Sequence, residues 1–208
     1  MPKARLSAQQ TAIRRGGPSP ERRVLYATHN GPQSLLLTTN AEEVLYGGAA
    51  SGGKSYALRA YAVNYCLTYP GATGVLFRKS YRELEETHIL ALQKEVPTSV
   101  ASYSSGQHNL IFPNGSILFL RFCERDEEAR SYDTAEFDFM LFDELTAFSL
   151  FTYQYLISRC RSTKSWWPGP RIRAGATPLG SGHSWVKTRW IDPAPPNKTW
   201  MAPVAEGG

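Results

Sequence analysis

Short apolar runs alternate with helical periodicity in the first half of the chain. Residues 33–39 predict a short helix, and residues 43–47 predict a buried strand that runs into glycines. Apolar side chains then recur at helical spacing over residues 54–68, until the Pro-Gly pair at 70–71 ends the pattern. A second buried strand is predicted at residues 75–77. The order strand, helix, strand is typical of a parallel sheet.

The middle of the chain begins with a helix and then changes to β structure. Ser80 and Glu83 form a capping box, which predicts the start of a helix that continues to about Glu95. Two apolar runs, residues 109–112 and 116–122, flank a Pro-Asn-Gly turn. This arrangement predicts a β-hairpin that interrupts the alternation of strands and helices.

The second half returns to the alternation. A polar, acidic segment at residues 124–136 leads into an apolar strand predicted at residues 137–142. A helix is predicted at residues 149–161, and a strand at residues 171–175 follows a loop rich in Trp, Pro and Gly. We therefore expect an α/β fold with a mostly parallel central sheet flanked by helices and a β-hairpin insertion.

The composition is that of a folded domain. The chain has 208 residues, of which 42% are hydrophobic and 20% charged, which excludes a disordered chain and leaves room for one α/β domain. No apolar run approaches the roughly 18 residues of a membrane-spanning helix, so we expect no membrane role. Cys66, Cys123 and Cys160 are widely spaced, which favours reduced, mostly buried thiols over a zinc site.

The net charge of +5 comes from the N-terminus. Residues 1–23 carry six basic side chains and only one acidic side chain, Glu21, whereas basic and acidic residues balance in the rest of the chain. Such an arm is either a solvated tail or a segment that contacts nucleic-acid phosphates. No apolar signal segment follows it, which indicates a cytoplasmic protein. We therefore divide the chain into a basic, flexible arm at residues 1–31 and a domain at residues 32–208.

The strongest chemical motif is Gly-Ala-Ala-Ser-Gly-Gly-Lys-Ser at residues 48–55, which matches the phosphate-loop pattern G-x-x-x-x-G-K-[ST] between a predicted strand and a predicted helix. Glycines let backbone amides surround phosphates at the positive end of the helix. Lys54 is expected to reach the β and γ phosphates, and Ser55 to ligate Mg²⁺. The alternative is a glycine-rich helix start that binds no ligand. The expected nucleotide-binding residues of this segment are Gly48, Ala49, Ala50, Ser51, Gly52, Gly53, Lys54, Ser55 and Tyr56.

A second motif lies where the predicted strand at residues 137–142 ends in Asp143 and Glu144. Because neighbouring parallel strands bring their carboxyl ends to one crevice, we expect both acids beside the phosphate loop. Asp143 can hold Mg²⁺ through its water shell, and Glu144 can orient and deprotonate the attacking water. A glutamate here favours hydrolysis over phosphoryl transfer to a metabolite. The alternative is an ordinary solvated strand end.

Two further polar residues are candidates for the same site. Thr177 follows the predicted strand at residues 171–175 and can hydrogen-bond the γ-phosphate or Glu144, although a residue of this type is also common in turns. Gln33 carries an amide that can both donate to and accept from adenine. The alternative is an ordinary surface glutamine, which is common.

Taken together, these motifs resemble the ATPase domain of bacteriophage large terminase subunits, the motors that package double-stranded DNA into capsids. The resemblance extends from Gln33 to about Ile191. The stretches that carry it are residues 45–55, 77–79, 123–125, 135–144, 158–161, 176–178 and 182–185.

The resemblance implies a P-loop fold of the additional-strand type that uses ATP and Mg²⁺, with Gln33 on adenine, Glu144 catalytic and Thr177 in the coupling motif. It also implies a portal protein and a small terminase subunit as partners, a homo-oligomeric ring (a pentamer) when assembled, and action in the cytoplasm of the infected host. The family's C-terminal nuclease needs a cluster of carboxylates for two metals. Asp192 is the only acidic residue between Glu144 and Glu206, so we expect no nuclease activity from this chain.

The phosphate loop contains no arginine, whereas many members of the family have one there. Stabilisation of the transition-state charge must therefore come from another residue. Arg78 can act within the subunit, or it can pair with an acid of the following helix. Arg130 can reach a neighbouring subunit of a ring, and we favour it over Arg125, which is surrounded by acidic residues and is expected to be neutralised locally.

Contact with DNA is expected to involve the phosphate backbone without sequence preference. The basic arm and the segment at residues 159–198, where eight basic residues accompany only Asp192, motivate this expectation. Arg171 and Arg173 can instead form one polar face of a strand. Two other functions remain open: a different P-loop motor, such as a helicase or recombinase-like ATPase, or a scaffold that binds nucleotide without hydrolysing it.

Overall fold

A computed structural model describes residues 25–29, 31–48 and 52–193, and in these residues seven strands form one mixed sheet. The strands are β1 (Glu43–Gly47), β2 (Thr73–Arg78), β3 (Ser102–Ser104), β4 (Asn109–Ile111), β5 (Ile117–Phe122), β6 (Phe139–Phe142) and β7 (Ile172–Ala176). Their order across the sheet is β1-β7-β6-β2-β5-β4-β3. The first five strands in this order run parallel, and β4 is antiparallel to both of its neighbours, β5 and β3.

Helices cover the sheet. The α-helices are α1 (Pro32–Thr38), α2 (Lys54–Thr68), α3 (Tyr81–Leu84), α4 (Leu90–Glu95), α5 (Leu150–Ile157) and α6 (His183–Val186). A π-helical turn, Glu85–Ile89, joins α3 to α4, and a second, Lys187–Ile191, follows α6. Two 3-10 helices, Asp126–Tyr132 and Leu145–Ala147, flank β6.

The core lies on both faces of the sheet because the central strands alternate. On β2, Leu76 packs into the cluster under α2, whereas Phe77 packs into the cluster on the opposite face. On β6, Leu141 and Phe142 divide in the same way. Strands buried on both faces are apolar throughout, which is why the sequence pattern identified them as buried strands.

Most predicted elements are confirmed, and the differences are at helix ends and short strands. The hairpin of β4 and β5 is present, but β3 adds a third strand that its three polar or half-buried residues did not predict. The helix predicted to reach residue 161 ends at Ile157. The chain turns there, and the carbonyl of Arg159 accepts a hydrogen bond from the amide of Phe137.

One topological expectation is wrong. The strand before the phosphate loop, β1, and the strand that ends in Asp143, β6, are not neighbours, because β7 lies between them and pairs with both. The carboxyl ends of all three still lie at one edge of the sheet, and a strand inserted at this place is the additional strand that the family resemblance implied.

Two further observations concern the described part of the chain. None of its helices is long and apolar enough to cross a membrane. Cys66, Cys123 and Cys160 are buried and unpaired, as their spacing indicated.

Candidate active site at the carboxyl edge of the sheet

The candidate residues meet where four parallel strands end. Gly47 at the end of β1 pairs with Ala176 on β7, so the start of the phosphate loop lies beside Thr177. Phe142 on β6 pairs with Phe77 on β2, which brings Asp143 beside Arg78. Residues that are far apart in sequence therefore converge on one edge.

The phosphate loop leads directly into α2. Gly53 is the N-cap and adopts a left-handed conformation with φ of 69°, and its carbonyl accepts the first hydrogen bond of the helix from Ala57. The Lys54 ammonium donates to the carbonyl of Gly48 at 3.1 Å across the loop. Ala49, Ala50 and Ser51, three of the predicted nucleotide contacts, lie outside the described residues.

Ser55 and Asp143 are joined by a hydrogen bond. The Ser55 hydroxyl donates to Oδ2 of Asp143 at 2.9 Å, and the Asp143 side chain is fully buried. Among the described residues, Oδ1 of Asp143 has no hydrogen-bond partner. Magnesium prefers oxygen ligands and is usually held by one or two protein groups together with substrate phosphates and water. A hydroxyl beside a carboxylate with one unused oxygen fits that ion.

A third residue, His88, reaches the same carboxylate. Its Nε2 lies 2.9 Å from Oδ2 of Asp143, and Nη1 of Arg78 lies 3.7 Å from that oxygen. Burial lowers the pKa of His88 despite the nearby carboxylate, which favours the neutral imidazole. Burial opposes ionisation of Asp143, but the bond from His88, the charge of Arg78 and the Ser55 hydroxyl together hold its pKa below the ordinary value. No sequence signal pointed to His88, because a lone histidine at a helical position resembles any core residue.

Glu144 is held by Thr177, the residue after β7. Its carboxylate accepts hydrogen bonds from the Thr177 amide at 3.0 Å and from the Thr177 hydroxyl at 2.8 Å. Glu144 adopts a left-handed backbone conformation with φ of 54°, which is unfavourable for a residue with a β-carbon. Such strain is concentrated at functional sites. The predicted contact between these two residues is present.

A cleft beside the phosphate loop contains Gln33. The cleft is lined by Ala27, His29, Gln33, Gly52, Gly53 and Tyr56. The Gln33 amide accepts from the backbone N–H of His29 at 2.9 Å and donates to the carbonyl of Gly53 at 3.4 Å. Each end of an amide can make a second hydrogen bond, so the Gln33 side chain can form one more as a donor and one more as an acceptor. The structure thus brings Gln33 and Tyr56 to the same cleft.

Residues 45–200 match the family model described as terminase large subunit, T4likevirus-type, N-terminal. The chain belongs to this family. No curated protein matches the sequence significantly.

Solved terminase structures share the fold at low sequence identity. The large terminase of a thermophilic bacteriophage is 15% identical with a TM-score of 0.62, and the match covers 77% of this chain and 41% of that one. The large terminase ATPase domain of Thermus phage P74-26 is 19% identical with a TM-score of 0.52, covering 80% of this chain and 72% of that one. For bacteriophage HK97 large terminase the identity is 13%, the TM-score 0.55, and the coverage 80% and 38%. This chain therefore spans less than half the length of the first and the last of these terminases.

The three arginine candidates of this terminase domain have different surroundings. Arg78 pairs with Asp143, not with an acid of the following helix as the alternative proposed. Arg125 is paired with Glu128 at 2.9 Å, in agreement with local neutralisation. Arg130 is exposed on the 3-10 helix Asp126–Tyr132.

The proposed DNA-contacting surface of the terminase domain is wrong at Arg173. Its side chain is fully buried and donates to the carbonyls of Thr39, Ala41 and Glu42, because the guanidinium fills the junction between α1 and β1. Four other basic residues of the segment form ion pairs. These pairs are Arg161 with Glu136, Lys164 with Asp138, Lys187 with Asp192, and Arg189 with Glu43. Lys198 lies outside the described residues.

Proposed function

We propose that this chain hydrolyses ATP with Mg²⁺ and that the hydrolysis drives double-stranded DNA into a viral capsid. The observation that carries the proposal is the pairing at one sheet edge of Ser55 with Asp143 and of Glu144 with Thr177. One pair fits a metal, and the other holds a carboxylate that can act on water. Family membership supports the motor role, and no particular observation favours a helicase or a passive scaffold.

The residues divide the chemistry among themselves. Lys54 exchanges its bond to Gly48 for the β and γ phosphates, which places a fixed positive charge beside the transferring group. Ser55 and Asp143 hold Mg²⁺, which supplies charge neutralisation at the phosphates when bound. Glu144 orients and deprotonates the attacking water. Gln33 and Tyr56, in the cleft beside the loop, contact the adenine.

The division of roles is tested by two variants. Lys54→Ala should abolish tight binding of labelled ATP, because the lysine contacts phosphate in the ground state. Glu144→Gln should bind ATP with wild-type affinity and lose single-turnover hydrolysis, because the carboxylate acts on water. Hydrolysis by Glu144→Gln at a rate near that of the wild type would refute the catalytic assignment.

The proposal includes assembly. In a closed ring every subunit presents the same surface to the next, so one exposed arginine can complete every site. We assign this role to Arg130, with double-stranded DNA, a portal protein and a small terminase subunit as the partners of the ring. Stabilisation by such an arginine accelerates phosphoryl transfer by ~10³ to 10⁵.

A mixing experiment tests the ring. Arg130→Ala and Glu144→Ala should each be inactive alone, and a mixture should regain hydrolysis because an intact Glu144 then meets an intact Arg130 across an interface. Arg125→Ala is the matched control, since that residue is already paired with Glu128. If Arg130→Ala hydrolyses ATP at the wild-type rate under conditions in which the wild type assembles, a different arginine completes the site.

A further inference from the structure

The π-helical turn Glu85–Ile89 contains one fully buried polar side chain. Leu84, His88 and Leu92 are spaced by four residues, and each has 0% exposure. Two of them are apolar and pack in the core, but His88 contacts the carboxylate at the end of β6. Single π-helical turns inside helices are frequent at functional sites.

The hydrogen bond between His88 and Asp143 has a defined direction. An ionised carboxylate can only accept hydrogen bonds, so the hydrogen lies on Nε2 of the imidazole. Both this N–H and the Ser55 hydroxyl donate to Oδ2 of Asp143. The two donors fix one oxygen of the carboxylate, and within the described residues they leave Oδ1 as the oxygen that makes no hydrogen bond.

The backbone before His88 is held by the helix that follows the phosphate loop. Nη1 of Arg59, on α2, donates to the carbonyl of Thr87 at 3.0 Å. The other guanidinium nitrogens of Arg59 donate to both carboxylate oxygens of Glu95, at 2.8 and 2.7 Å. Because α2 also carries Lys54 and Ser55, one rigid element positions the phosphate contacts and the imidazole together.

We propose that His88 is a positioning residue that holds the Asp143 carboxylate in the orientation that keeps Oδ1 available to the metal. The proposal rests on the assignment of Ser55 and Asp143 to Mg²⁺ in the proposed function. His88 acts through Asp143 and contacts neither nucleotide nor metal. Removing such an outer hydrogen-bond partner lowers metal affinity by ~10- to 100-fold in known metal sites.

Two substitutions of similar size separate this role from a structural one. The amide nitrogen of glutamine can take the position of Nε2, whereas that of asparagine reaches only the position of Nδ1. The measurement is equilibrium binding of a fluorescent ATP analogue to the whole chain, titrated with Mg²⁺ and repeated in EDTA. His88→Asn should raise the Mg²⁺ concentration at half-saturation by at least ~10-fold, and His88→Gln should stay within about threefold of the wild type. In EDTA, the wild type and both variants should bind the ATP analogue with the same affinity.

Two controls make the result decisive. Leu92→Ala removes a buried side chain of the same stripe, so it should lower the melting temperature without moving the Mg²⁺ midpoint. Asp143→Asn should raise the midpoint if the metal assignment is correct. The positioning role is overturned if Asp143→Asn raises the Mg²⁺ midpoint and His88→Asn does not. It is also overturned if His88→Gln and His88→Asn raise the Mg²⁺ midpoint equally. In both cases the proposed function stands. If Asp143→Asn leaves it unchanged, both the metal assignment and the positioning role fail.

Discussion

Thr177, the residue after β7, is hydrogen-bonded to the carboxylate of Glu144, the proposed catalytic group. Thr177 donates two hydrogen bonds, one from its amide and one from its hydroxyl, to the two oxygens of Glu144. A movement of either residue therefore alters the position of the other. The pair connects the proposed water-activating group to the segment that follows β7, which is what a coupling motif requires.

Removal of the Thr177 hydroxyl should weaken hydrolysis. Thr177→Val leaves only the backbone donor, and a hydrogen bond to a charged group contributes about 1.5–3 kcal/mol, so we expect a loss of at least ~10-fold in single-turnover rate with unchanged ATP affinity. Thr177→Ser keeps the hydroxyl and should retain most of the rate. Equal losses in the two variants would show that the hydroxyl has no part in orienting Glu144.

Arg173 illustrates a basic residue whose role is stability. It donates to carbonyls of the loop between α1 and β1, and its guanidinium lies 4.9 Å from the centre of the Tyr61 ring. Arg173→Leu removes the guanidinium donors to the part-buried carbonyls of Thr39 and Ala41 and should lower the free energy of unfolding by about 3 kcal/mol. Arg171→Leu, at the half-buried position two residues earlier, is the control and should change it by less than about 1 kcal/mol. Chemical denaturation measures both, and similar values for the two would refute the structural role.

At the level of secondary-structure elements, contact between β2 and β6 depends on a glycine. Gly74 pairs with Phe139, and the Phe139 ring lies across the glycine. A β-carbon at position 74 would lie 1.9 Å from Cζ of that ring, so the ring would have to leave its core position. The close approach is part of what holds the strand that carries Asp143 against the strand that carries Arg78.

Gly74→Ala should therefore destabilise the fold by about 3 kcal/mol, the upper part of the range for overpacked cores. Gly106→Ala is the matched control, because nothing lies within 4 Å of its added β-carbon. Combining Gly74→Ala with Phe139→Leu should cost less than the sum of the single changes, since the smaller side chain removes the clash. Additive costs in thermal or denaturant unfolding would contradict the steric explanation.

For the molecule as a whole, the distribution of charge bears on the proposed contact with DNA. The structure removes Arg173 from the surface and places several other basic residues in ion pairs, so the basic arm is the main unassigned source of positive charge. Contacts of this kind are made to phosphates and carry no base information.

Duplex affinity should fall steeply with salt and should not depend on sequence. Each phosphate contact contributes roughly 0.9 to the slope of log affinity against log salt. Replacing Arg14, Arg15, Arg22 and Arg23 by alanine should lower that slope, whereas Arg173→Lys should leave it unchanged. A salt-insensitive affinity, or strong preference for one duplex in fluorescence anisotropy, would exclude backbone contact.

Features that depend on near neighbours along the chain were predictable from the amino-acid sequence. They include the phosphate loop, both ends of α2, the capping serine of α3 and the hairpin of β4 and β5, because glycine conformations, helix caps and side-chain periodicity act over a few residues. The location of Asp143 and Glu144 directly after a buried strand was predictable for the same reason.

Which distant residues meet became visible only in the folded molecule. The position of β7 between β1 and β6 depends on the order of strands in the sheet. The burial of Arg173 and the contact of His88 with Asp143 join segments that are more than fifty residues apart in sequence. Periodicity gives each segment a buried face, but it does not specify the partner of that face. Strand order is set by how all the helices and strands pack together, and the surroundings of the Asp143 carboxylate follow from that order.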